Sequence, residues 1–204
     1  MVDHDDKFYS LIKPQCLIFV IDKAGKLLYK IGTKGQGAGE YAFISDFNIN
    51  PFSCNLEILE PYGRIHVYSL LGDFIETKRI SYPEFKVAHS LAALDNDIYV
   101  SHSLFEPKKI AYFDLNKQEL LHEEFEEDMA IGSYSQIPYQ YKDEWFFYRP
   151  FHPIVYKIGK KQLEASFKFD FGKYTKDGRT AVLSQEAKKN FTKNKEEMYA
   201  QYSY

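Results

Sequence analysis

The sequence predicts an all-β chain made of four-stranded antiparallel blades, the unit of a β-propeller, with a short C-terminal α-helix. Three observations carry that expectation. One strand–turn–strand pattern recurs at a nearly constant period of 44–47 residues, within the roughly 40–50 residues that a propeller blade occupies. Apolar and mixed positions alternate with period two through each copy, the mark of a strand and not of a helix. Aromatic residues make up 17% of the chain, as 17 Tyr, 17 Phe and a single Trp. Tyr and Phe favour pleated, half-buried surfaces.

The repeat is clearest in the first two copies. Residues 18–31 and 65–78 align without a gap and place Gly25 on Gly72. Gly at that point supplies the positive φ that a tight hairpin turn requires. Two looser copies start at Ile110, with Asn116 and Lys117 in the turn, and at Ile154, with Gly159, Lys160 and Lys161 in the turn. Ile18, Ile65, Ile110 and Ile154 therefore lead four equivalent hairpins.

Each period also holds two strands ahead of its hairpin. In the second unit they are residues 45–50 and 55–60, broken at Pro51; in the third, 87–94 and 97–102, joined at Asp95 and Asn96. In the fourth they are 134–141 and 144–148, meeting at Lys142 and Asp143. The first unit offers only residues 7–12 before Pro14 ends the strand. The expected organisation is a single domain over 1–204, with blade units at 7–41, 42–82, 83–128 and 129–174. A helical tail follows at 183–202. It opens on Ser184 as N-cap and carries Ala187, Phe191 and Met198 at nearly helical spacing.

The segment from Ile31 through the glycines 32, 35, 37 and 39 to Glu40 and Tyr41, followed by a strand at 43–49, resembles the NHL-type repeat. More narrowly, it resembles the six-bladed β-propeller proteins of Bacteroides and their relatives. Residues 63–75 and 169–174 continue the likeness. The resemblance implies a propeller fold, export to the periplasm or cell surface, often as a lipoprotein, and no particular reaction. Four units fall short of a six-bladed ring, so an incomplete ring, a truncated member or a pairing of chains is expected. Open blade edges would then join copies of the chain.

Composition narrows the partners. With 26 basic and 29 acidic side chains, the formal charge is −3, which disfavours nucleic acid and anionic membranes. No run approaches the roughly 18 apolar residues of a membrane span, and the acidic start of the chain has no signal-peptide core. Cys16 and Cys54 fit no metal spacing and read as buried free thiols, with a disulfide between neighbouring blades as the alternative. The glycine loop lacks the Lys-Ser ending and following helix of a phosphate cradle. Residues 123–128 are acidic but lack a calcium-loop pattern. Neither a catalytic motif nor a cofactor or metal site is expected.

The best candidate for ligand contact is the run 145–153, which combines Trp145, Tyr148, Arg149 and His152 between prolines. Aromatic groups beside Arg are common in recognition. His89, on an inner strand, and His102, ending a middle strand, are the histidines placed to face a channel mouth. The expected function is a non-enzymatic binding or scaffold module whose ligand is a small molecule, glycan or protein, met where inter-blade loops converge. The alternative is a hydrolase or lyase with its site at the propeller axis.

Overall fold

The computed structural model describes residues 2–4, 6–80, 87–103, 108–126, 138–142, 144–148 and 153–170. The tail at 183–202, Arg149 and His152 lie outside these described residues. One compact unit comprises residues 1–147 and 157–164, and the other comprises 148–156 and 165–204. In the second, the backbone N–H of Phe169 donates to the carbonyl of Pro153 at 2.7 Å.

The strands form four four-stranded antiparallel sheets, as the repeat predicts. Blade 1 holds β1 (Val2–His4), β2 (Lys7–Ile12), β3 (Leu17–Asp22) and β4 (Leu27–Ile31). A small parallel pair, β5 (Thr33–Lys34) with β6 (Glu40–Tyr41), leads out of it. Blade 2 holds β7 (Asp46–Ile49), β8 (Leu56–Leu59), β9 (Arg64–Tyr68) and β10 (Phe74–Arg79). Blade 3 holds β11 (Ser90–Ala93), β12 (Ile98–His102), β13 (Lys108–Asp114) and β14 (Glu119–Glu126). Blade 4 holds β15 (Tyr139–Tyr141), β16 (Glu144–Tyr148), β17 (Ile154–Ile158) and β18 (Leu163–Lys168). In every blade the strands lie in chain order.

Two sequence expectations are corrected. Blade 1 does have an inner strand: β1 pairs Val2 with Tyr9 and His4 with Lys7. A three-residue polar strand carries too little alternation to be read. Cys54 is exposed, not buried, because it sits in the β7–β8 turn with a positive φ of 54°. Cys16 is buried, and both thiols are free. The turn glycines behave as expected, with φ of 83° at Gly25 and 99° at Gly72.

Period-two alternation sends successive side chains of each strand to opposite faces, and in the first unit each face meets a different neighbour. Tyr9, Ile18, Val20 and Ile31 of blade 1 pack against Phe47, Leu56, Ile58 and Tyr68 of blade 2. Leu59 and Ile65, on the other face of blade 2, pack against Leu91, Tyr99 and Phe113 of blade 3. Beyond that, His102 and Phe125 of blade 3 contact Phe147 of β16 at ring separations of 5.8 and 4.9 Å. Each fully buried Ile or Phe contributes about 1.5–3 kcal/mol, so these seams dominate the stability of the unit.

The inner strands add a polar tie. Asn48 Nδ2 donates to the Leu91 carbonyl at 3.1 Å, and the Leu91 N–H donates to Asp46 Oδ2 at 3.3 Å. Burial raises the Asp46 carboxyl to about 6, with the N–H groups of Phe47 and Leu91 pulling the other way. Its folded pKa thus exceeds its unfolded one. The stabilising contribution is fully present below about pH 4 and is lost as pH rises through about 6. Asp46→Asn should therefore raise stability at pH 7, by up to about 3 kcal/mol. It should also flatten the pH dependence of Tm between about pH 4 and 6, which thermal unfolding across that range would show.

Candidate functional site

The turns of the β-hairpins build a site in the first unit with both volume and chemistry. A cleft of about 390 Å³ lies where the β7–β8 turn, the end of β11, the start of β16 and the β17–β18 turn meet. Blade 2 supplies Pro51 and Phe52, blade 3 supplies Ala93 and Leu94, and blade 4 supplies Trp145, Ile158 and a charged rim. The volume is at the lower end of the range for small-molecule sites, and the mixture of ring faces with a few polar groups is typical of them.

A buried hydrogen-bond network sets the blade 2 wall. Tyr99 of β12 donates its hydroxyl to Glu57 Oε1 at 2.6 Å. Asn50 Nδ2 reaches both Glu57 Oε1 at 3.0 Å and the Tyr99 oxygen at 3.1 Å. Lys78 Nζ donates to the same hydroxyl oxygen at 3.2 Å. The other end of Asn50 accepts the N–H of Phe52 at 2.9 Å and of Ser53 at 3.3 Å. This Asx-type turn presents Pro51 and Phe52 to the cleft. Burial raises the Glu57 carboxyl, against hydrogen bonds from Tyr99 and Asn50. Burial also raises the Tyr99 hydroxyl, and the neighbouring Glu57 carboxyl adds to the shift.

The blade 4 wall combines an aromatic floor with neutralised charge. Trp145 is 7% exposed, and its indole N–H lacks a hydrogen-bond partner. Phe52, at 50% exposure, is the open ring. Lys157 is paired with Glu144, which holds its ammonium above the ordinary range. Lys160 reaches across to Asp95 of blade 3 at 2.9 Å, and that contact holds the Asp95 carboxyl below its ordinary value. Glu164 sits over Gly159, where an added Cβ would stand 2.8 Å from its Oε1. The two ammonium groups are thus each matched by a carboxylate, and Glu164 adds one further carboxylate to the rim.

Among the described residues that the sequence predicted, only Trp145 lines the cleft. Tyr148 lies three residues along β16, which places it on the opposite face of the strand. His89 lies in a bend just before β11, and its backbone N–H donates to the His102 carbonyl at 2.8 Å, while register pairs the His102 position with Ser90. His102 is buried against Phe147. The imidazole of His89 has its pKa lowered, first by burial and then by Lys13 and Lys109. Among the described residues no three His, Cys, Asp or Glu side chains are grouped to hold a metal. The glycine loop is filled from within: Glu40 Oε2 accepts the Gly37 N–H at 2.9 Å, leaving a carboxylate where a phosphate would sit.

Sequence reading missed Phe52, Lys157, Lys160 and Glu164. Their signal was positional, since the cleft is made by turns at equivalent places in the repeat. It lies at the hairpin-turn end of the blades, opposite the inter-blade loops at which a ligand was expected. Tyr99→Phe removes the donor to Glu57 from both the seam and the turn. It should cost about 1–3 kcal/mol, seen as a lower urea midpoint with an unchanged slope.

Comparison with known proteins agrees with the fold. Over 83% of this chain, a crystal structure of a protein of Bacteroides fragilis NCTC 9343, titled a putative exported protein, superposes with a TM-score of 0.70 at 17% identity; the match covers 49% of that chain. A member of the DUF4221 family from Bacteroides vulgatus ATCC 8482 matches over 83% of this chain and 57% of its own, with a TM-score of 0.54 at 13% identity. The chain thus spans about half the length of these structures. No curated protein matches it. Among the described residues no helix is long and apolar enough to cross a membrane. The model of the family described as "Domain of unknown function (DUF4934)" matches residues 2–204, and the chain belongs to that family.

Proposed function

We propose that the protein is a non-enzymatic binding module and that the hairpin-end cleft is its ligand site. The observation that carries this reading is the convergence of three blades on a cavity floored by the only Trp of the chain. The paired rim charges favour a neutral, amphiphilic ligand, such as a glycan ring or a short uncharged peptide segment. Such a ligand places an apolar face on Phe52 and Trp145 and its hydroxyls or amides on the rim carboxylates and ammonium groups. An anionic ligand would meet the Glu164 carboxylate and would have to break the Lys157–Glu144 or Lys160–Asp95 pair first.

The Bacteroides relatives support a place outside the cytoplasm, the periplasm or cell surface, since one of them carries the description of an exported protein. Their greater length supports a propeller with more blades than four, as the NHL-like repeat suggests.

Trp145 makes the test direct, because no other indole contributes to the emission. Neutral oligosaccharides and uncharged tripeptides should include a class that shifts the Trp145 spectrum and raises Tm in proportion to ln(1 + [L]/Kd). Phe52→Ala should weaken that ligand by about tenfold, roughly 1.4 kcal/mol, at small cost to stability because the ring is half exposed. Binding that survives Phe52→Ala and Lys160→Ala unchanged would place the ligand elsewhere. If every class left both signals flat, the binding reading itself would fall.

A further inference from the structure

Blade 2 holds a buried imidazole at a position where two other copies of the repeat hold an apolar side chain. Residues 18–31 and 65–78 align without a gap, so His66 stands where blade 1 has Phe19. Blade 3 has Ala111 there, one residue past its leading Ile110, and Ala111 packs into the seam with blade 2. The blade framework therefore does not require a polar group at this place. In blade 2 the imidazole is 2% exposed, with its ring 5.4 Å from that of Tyr41.

Register sets Thr77 of β10, the outermost strand of the blade, opposite His66. Phe74 lies opposite Tyr68, and an unbroken ladder would then bring Glu76 to His66. A bulge between Phe74 and Glu76 adds one residue and brings Thr77 there instead, the re-aiming that bulges perform. Thr77 is exposed, and its Oγ1 lies 3.1 Å from His66 Nδ1. On the inner side, His66 Nε2 lies 3.4 Å from Glu60 Oε2. Glu60 is buried; its Oε2 accepts from Arg64 Nε at 2.6 Å and its Oε1 accepts the Ala42 N–H at 3.2 Å. A carboxylate held by those two donors accepts from the ring as well, which puts the imidazole proton on Nε2. The bare Nδ1 then accepts the hydroxyl hydrogen of Thr77, and the lone pairs of the threonine oxygen turn outward.

A hydroxyl, a base in hydrogen-bond reach of it and a third group orienting the base are the parts of an activated nucleophile. We propose that Thr77 is a reactive hydroxyl at which the protein is acylated by an activated carboxylic ester, with His66 as the base and Glu60 positioning it. The Thr77 oxygen attacks the acyl carbon, and its proton passes to His66 Nδ1. The new oxygen–carbon bond forms as the bond to the leaving group breaks, and the leaving oxygen takes the proton back from the ring. Arg79, exposed, lies two positions along β10 on the Thr77 face and opposite Arg64. It brings a cation beside the hydroxyl, of the kind that stabilises the oxyanion of an acyl transfer. Burial lowers the His66 pKa, Glu60 opposes that fall and Arg64 adds to it, so the ring is the neutral base at neutral pH. The step is one stoichiometric acylation and does not draw on the hairpin-end cleft.

The probe is p-nitrophenyl acetate, added to the full chain. Peptide mapping should find an acetyl group on Thr77, absent from Thr77→Val and retained by Thr77→Ser. His66→Gln should slow that acylation by about a hundredfold, and Arg79→Gln by about tenfold. In the wild type the rate at Thr77 should rise with pH through a midpoint below the ordinary imidazole value and level off by neutral pH, following the neutral ring. The groups facing that ring are Glu60, Arg64, Thr77 and Tyr41. Because Glu60 holds the His66 pKa up, Glu60→Gln should move the midpoint lower as well as slow the reaction; a merely structural role would lower Tm and leave the midpoint in place. The wild-type profile alone decides the matter where His66→Gln does not fold. Acetyl groups found only on lysine or tyrosine, a Thr77 rate indifferent to His66→Gln, or a rate that climbs with hydroxide and never levels off would each overturn the proposal.

Discussion

The structure depends on one constraint: a blade is a sheet with two apolar faces, so it is satisfied only between two others. Elsewhere an antiparallel sheet can turn one face to water and keep its core on the other. Blades 2 and 3 have given up that option, since Leu56 and Ile58 on one side and Leu59 and Ile65 on the other are all buried. Neither blade has a core of its own. The stabilisation is in the seams, which makes the fold a sequence of nearest-neighbour contacts, much as in other repeat proteins.

That constraint also explains where polar groups are tolerated. Four buried polar contacts in the blade 2–3 seam join residues of different blades: Asp46 and Asn48 reach the Leu91 backbone, and Glu57 and Asn50 reach Tyr99. Apolar packing alone leaves one sheet free to slide over the next. A buried hydrogen bond charges a penalty to every misregistered arrangement, because the unpaired group must then be desolvated. Glu57 and Asp46 are costly to bury, as their raised pKa values record. What they contribute is a fixed angle and height between blades. The Asn50 link then transmits that height to the turn carrying Phe52.

The fold was readable because its signal is redundant. Four hairpins with leading isoleucines and turns at Gly25 and Gly72 repeat the same information, so an error in one copy changes little. Strand β1 escaped because Val2 to His4 is too short and polar to alternate. The site was much less readable. Trp145 stands out as the only indole, but Tyr148 next to it in composition points away because strand parity separates the two. His89 and His102 meet only through their backbones, and His102 is buried against Phe147. The residues that do meet Trp145 are Phe52, 93 positions earlier in the chain, and Glu164, 19 positions later. Nothing local marks them, since convergence of turns is a property of how blades stack.

The cleft and the seams are one design, and this bears on what the site can do. Its walls come from three blades, so its shape is fixed by the same inter-blade height that Tyr99, Asn50 and Glu57 set. A site on long inter-blade loops would tolerate insertions and adapt to many ligands. Here the walls are short turns held by Asx geometry at Asn50 and by the close fit of Glu164 over Gly159. Such walls lose little entropy on binding and leave little room for induced fit. Under the proposed function, specificity comes from the identity of the turn residues, Phe52, Lys160 and Glu164, while the blade framework stays constant. Variation among relatives in ligand is therefore expected at these turn positions, with the seam residues Ile58, Ile65 and Tyr99 holding the frame.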